Sequence, residues 1–196
     1  DNKYEGANAK FNAIASTLTL DGLNVNSNEK GIQWGSEGSY GMDLTIVLAE
    51  NSSNTIKNTD GVAIAGEFGS VVAGPSLNIK GTGALNVTGS TSGIWVWKNI
   101  TIGESAVVDI KATKGGIYNN SPNGTITIKD NANVTIDSDG YGIGYDNGDS
   151  NRNTPVINGG TLTVKGTTAA MRVAPSFDKE REYGITASEN KNGKPT

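Results

Sequence analysis

The residues best equipped for chemistry in this 196-residue chain fall into a set of aromatic rings and a run of oxygen donors. The rings are Trp34, Trp95 and Trp97, with Tyr118, Tyr141 and Tyr145. An exposed indole or phenol offers a flat, electron-rich surface to the C–H face of a sugar. The donors run through Asp137-Ser-Asp139-Gly-Tyr-Gly-Ile-Gly-Tyr-Asp146-Asn-Gly-Asp149-Ser-Asn151. Carboxylate and amide oxygens on glycine-rich turns are the hard ligands that Ca²⁺ prefers, which makes Asp137, Asp139, Asp146 and Asp149 candidate calcium ligands. The run lacks the closing Glu of an EF-hand loop. An Asp/Asn turn with no ion is the simpler reading of the same residues.

Composition removes most other chemistry. Without His there is no Ser-His-Asp triad and no imidazole acid–base or zinc site, and without Cys there is no disulfide or thiolate nucleophile. The net charge of -4 and the absence of Lys/Arg clusters argue against a nucleic-acid partner. No apolar stretch approaches the roughly 20 residues of a bilayer-spanning helix. The chain starts at Asp1 with no apolar leader, and its surface is rich in Asn, Thr and Ser. It reads as a mature or trimmed extracytoplasmic chain, secreted or on the cell surface, with a cytosolic protein that happens to lack Cys as the competing reading. A monomer is expected.

The elements that must position these residues follow from a repeat. Three kinds of short strand recur in fixed order. The first is apolar-polar-apolar, as in Leu18-Thr-Leu20, Leu44-Thr-Ile46, Leu77-Asn-Ile79, Ile100-Thr-Ile102 and Ile126-Thr-Ile128. The second follows a polar turn, as in Leu23-Asn-Val25, Leu85-Asn-Val87, Val108-Asp-Ile110, Val134-Thr-Ile136 and Leu162-Thr-Val164. The third opens on a small residue before an apolar anchor at Ile32, Val62, Ile94, Ile117, Ile143 and Met171. The anchors lie between 23 and 32 residues apart, and the first-strand spacings change with them. That is how a solenoid varies, with stacked strands constant and corners absorbing insertions.

The expected fold is all-β, a right-handed parallel β-helix of about six rungs of three short strands, with handedness taken from the rule for parallel crossovers. Residues 1–17 form an N-terminal cap, 18–175 the β-helix, and 176–196 a C-terminal strand, near Tyr183-Gly-Ile-Thr186, with a polar tail. Corners at Lys80-Gly-Thr-Gly83, Gly103-Glu-Ser105, Lys129-Asp-Asn131 and Asn158-Gly-Gly160 carry residues that tolerate φ > 0. Asn residues stacked at equivalent corners account for the Asn excess as side-chain ladders. The second coil is the weakest stretch, with only Thr55-Ile56 to serve as its second strand.

Alternation converts the strands into outward columns. The first two faces present mainly Thr and Asn. The third presents Gln33, Ala63, Trp95, Tyr118, Gly144 and Arg172, with Trp97 outward beyond Trp95 and Lys98 beside it. A row of rings one coil apart, about 4.8 Å, would follow a polysaccharide chain. Trp95, Trp97 and Tyr118 are the expected ligand-binding residues, with Arg172 and Lys98 available to an acidic sugar. The competing reading packs these rings beneath a loop.

The run Tyr141-Gly-Ile-Gly-Tyr145, Val156-Ile-Asn-Gly-Gly160, Thr161-Leu-Thr-Val-Lys165 and Thr168-Ala-Ala-Met171 resembles the secreted, calcium-associated carbohydrate-binding parallel β-helix family of Gram-positive anaerobes. The likeness covers about residues 115–190. It implies a secreted or cell-surface binder of plant-type polysaccharide, including acidic pectin-like polymers, with Ca²⁺ in loops. The chain departs from that pattern after Gly144, where Asp146-Asn-Gly-Asp149 stands. The leading expectation is a non-catalytic polysaccharide-binding module. The alternatives are a structural stalk or adhesin segment, and a calcium-dependent polysaccharide lyase drawing on Arg152 or Arg172 near the Asp run.

Overall fold

The fold is described from a computed structural model, which covers residues 3–5, 7–35, 41–67, 74–121, 124–144, 155–172, 176–177 and 184–187. It is a right-handed parallel β-helix with no helix among the described residues. Face one stacks Thr17–Leu20, Leu44–Leu48, Leu77–Gly81 and Ile100–Ile102. Face two stacks Asn24–Ser27, Ser53–Asn58, Ala84–Gly89 and Val107–Ala112. The long strands Ile126–Ser138 and Pro155–Gly166 bend through the corner and serve both faces. Face three is a separate six-stranded sheet of Ile32–Trp34, Val62–Gly66, Ser92–Val96, Gly115–Asn119, Tyr141–Ile143 and Ala169–Met171. All pairings are parallel apart from the N-terminal hairpin, Lys3–Glu5 with Ala9–Asn12, which adds to Thr17–Leu20 antiparallel. At the other end, Ser176–Phe177 and Gly184–Ala187 pair with the last long strand.

Every second residue points inward, and the inward Leu, Ile and Val side chains of all three faces merge into one continuous core. The corner between faces one and two turns through positive φ in successive coils, at Gly81 (111°), Glu104 (57°), Asp130 (60°) and Gly159 (94°), as the sequence predicts. For the non-glycine members, ionic contacts tie neighbouring coils together. Lys80 Nζ lies 3.4 Å from Glu104, and the Glu104 N–H donates to Asp130 Oδ2 at 3.0 Å.

Two registers differ from the expected ones. On face one Leu18 pairs with Ile46, not with Leu44. On face three Ile32 pairs with Ile64, so Ile64 and not Val62 is the anchor of coil 2, and Ala65 replaces Ala63 in the outward column. Both slips are of two residues, which leaves every side chain on its correct side. Among the described residues the buried Asn do not stack as ladders either. Asn54, Asn58 and Asn119 are buried inward residues that bond main chain of neighbouring coils, so each acts as an individual pin. Asn54 is also why the second strand of coil 2 is hard to see, because an amide occupies a position that Leu85 fills one coil later.

Candidate functional site

Face three sends Gln33, Ala65, Trp95, Tyr118, Gly144 and Arg172 outward in one column. Trp95 is the large exposed ring of this column, at 38% accessibility. Tyr118, expected to stand beside it in solvent, is only 3% exposed. Its ring centroid lies 6.1 Å from that of Trp95 with the planes tilted by 55°, and its hydroxyl donates to Asn120 Oδ1 at 2.7 Å. The phenol therefore lies down along its own strand and backs the indole of the coil before it.

Trp97 follows Trp95 outward but is half-buried, because its ring lies against Gly74 so closely that any Cβ there would overlap it. The Lys98 N–H donates to the Pro75 carbonyl at 3.1 Å, fixing the strand end to the same segment. Gly74 and Pro75 are the signal for this docking, hidden in a stretch that reads as the end of an insertion loop. Trp34 follows the outward Gln33 on the same strand. Its ring points inward and packs on the core, where Gly66 of the next coil vacates the space an indole needs.

Around Trp95 the face is polar. Gln33 Nε2 donates to Glu67 Oε2 at 2.6 Å, and Lys30 forms an ion pair with the same carboxylate. Glu67 faces outward in either register of coil 2, and sequence reasoning misses it and Lys30 because alternation carries no signal for side-chain contacts between coils. Toward the C-terminal end, Lys98 is exposed and Arg172 is half-buried, its guanidinium carbon 5.9 Å from the Tyr141 ring centroid. Trp95 and Arg172 stand three coils apart, roughly 14 Å.

The proposed calcium ligands are not assembled by the described residues. Asp137 stands on face two between Lys111 and Lys165, 3.2 Å from the Lys165 ammonium. Asp139 is exposed at the following corner, where its N–H donates to the Ala112 carbonyl at 3.0 Å. Asp146 and Asp149, with Tyr145 and Arg152, lie outside the described residues. No group of three or more acidic side chains among the described residues is placed to hold an ion. Of the four candidate ligands only Asp137 and Asp139 are described, and these two do not by themselves supply the six to eight converging oxygens of a calcium site.

A family model described as carbohydrate-binding domain-containing protein matches residues 9–190. The chain belongs to this carbohydrate-binding domain family. No curated protein and no solved structure matches it. A carbohydrate-binding domain needs an apolar platform for a sugar's C–H face and directional polar groups for its hydroxyls. Face three brings the exposed Trp95 ring and the polar side chains of Gln33, Glu67 and Lys30 onto one outward surface.

Proposed function

We propose that this carbohydrate-binding domain is a secreted or cell-surface, non-catalytic, monomeric module that grips polysaccharide along face three, with Trp95 as the stacking platform. The observation that carries this reading is the exposed Trp95 ring, backed by a buried and hydrogen-bonded Tyr118. A ring held from behind loses little freedom when a sugar stacks on it, so less of the stacking energy is spent on ordering. Trp97 extends the platform along the strand. Lys98, on the same coil as Trp95, and Arg172, three coils further on, meet hydroxyls or the carboxylates of an acidic sugar. Non-catalytic action is supported by the match to a carbohydrate-binding domain family.

The test is affinity electrophoresis of wild type and Trp95→Ala through gels containing soluble polysaccharides, with melting temperature recorded for both. Retardation is expected to vanish in the variant while the melting temperature stays within a few degrees. Equal retardation would remove Trp95 from the site. Incubation with pectin-type polymers is expected to give no ultraviolet-absorbing unsaturated product, and a steady rise would establish a lyase instead.

A further inference from the structure

Where faces two and three meet, coils 1 and 2 enclose a polar cleft of about 310 Å³ lined by Asn28, Glu29, Lys30, Gln33, Asn58 and Asp60. Its walls are fixed before any ligand arrives. Asn58, 2% exposed, donates from Nδ2 to the Glu29 carbonyl at 2.6 Å and accepts the Asp60 N–H at Oδ1 at 2.7 Å, which locks the two corners together. The Glu29 N–H donates to Ser27 Oγ at 2.9 Å, and Glu67 holds Gln33 from the side. Ligand pockets run from about 300 Å³ upward, so this one is sized for a single sugar ring.

We propose that this corner cleft is a second sugar subsite, selective for a neutral hydroxyl-rich unit of the same polysaccharide chain that stacks on Trp95. The inference rests on the carbohydrate reading of face three. Two features of the geometry carry it. Gln33 lines the cleft and also belongs to the outward column of Trp95, two coils away, so cleft and platform lie on one path of about 10 Å. The lining also mixes amides with carboxylates, which together donate to and accept from vicinal hydroxyls. Selectivity follows from charge. A uronate entering the cleft meets Glu29 and Asp60, while the single cation among its described lining residues, Lys30, is already paired with Glu67. A neutral ring is spared that repulsion.

Calorimetric titration with neutral glucose, mannose and xylose hexasaccharides, their disaccharides, and hexagalacturonate tests this on wild type, Trp95→Ala, Gln33→Ala and Asp60→Asn. For the neutral hexasaccharide that binds wild type most tightly, Gln33→Ala and Asp60→Asn are each expected to lose about tenfold in affinity, the scale of one hydrogen bond to a charged or buried partner. The matching disaccharide, too short to span the path from Trp95 to the cleft, should lose less than twofold. Backbone amide shifts of residues 28–33 and 60 on adding the hexasaccharide to wild type give a readout independent of how the variants fold. Binding that depends on Trp95 but is unchanged in both cleft variants, with no shifts at these amides, overturns the subsite alone. Tighter wild-type binding of hexagalacturonate than of every neutral hexasaccharide overturns its selectivity. No binding of any probe to wild type overturns the carbohydrate reading beneath it.

Discussion

Asn54 shows how much a single inward residue can carry. It is fully buried in a column otherwise filled by Leu23, Leu85, Val108, Val134 and Leu162. Its Oδ1 accepts the N–H groups of Gly22 and Leu23, both at 2.9 Å, and its Nδ2 donates to Ser52 Oγ and the Ala84 carbonyl. One amide thus bonds coils 1, 2 and 3 together. Asn54→Leu would complete the apolar column and still be destabilising, because it strips partners from buried main-chain groups at about 1–3 kcal/mol each. A fall in melting temperature of about 4–8 °C is expected in a chain of this size. A neutral or stabilising result would show that water replaces the amide. The ion pair of Asp137 with Lys165 leads to a second expectation at this scale. Asp137 is engaged on face two, away from the rings, so EDTA should leave retention in the polysaccharide gel unchanged, and loss of retardation restored by added Ca²⁺ would place an ion in the site.

Among the elements, the third strand explains its own sequence signature. Its opening small residue faces the interior, and a Cβ on Gly31, Gly93, Gly116 or Gly142 would overlap Ile56, Ile110, Ile136 or Val164, each on face two of the following coil. The glycine makes room for the next coil's β-branched side chain. Gly31→Ala should therefore cost about 1–3 kcal/mol by overpacking, and Ile56→Ala about 2–5 kcal/mol by leaving a cavity. Because the added methyl enters the space the second change vacates, the double variant should cost less than the sum, and strict additivity in chemical denaturation would refute the contact. This pattern was legible in the sequence, as were the three faces, the positive-φ corners and the outward position of Trp95, because period-two alternation states which side a residue faces. Alternation is silent about slips of two residues, so Leu18 and Ile64 were placed in the wrong partner register. The turn lengths that decide register depend on Asn54 and Asn58, whose bonds to other coils exist only once the chain is wound. The same limit hid Glu67 and Lys30, and it concealed that Tyr118 is covered and that Gly66 admits Trp34 to the core.

For the whole molecule, a solenoid turns one local feature into a linear array. The outward column of face three advances five coils from Gln33 to Arg172, about 24 Å at the spacing between parallel strands. Its members differ along that path: an amide bonded to the Glu67 carboxylate at the N-terminal end, the exposed indole near the middle, and the Arg172 guanidinium at the C-terminal end. Such a surface makes many weak contacts, and binding strength should grow as a ligand reaches more of them without paying again for lost rigid-body freedom. Competition by size-fractionated oligosaccharides against polysaccharide retention is therefore expected to strengthen with each added unit until the ligand spans about 24 Å, and then to level off per mole of chain. A trisaccharide that competes as well as the polymer would mean a single pocket and not an extended face. Competition that keeps rising well beyond that span would mean that several protein molecules engage one polymer, contrary to a monomeric binder whose reach is set by its own coils.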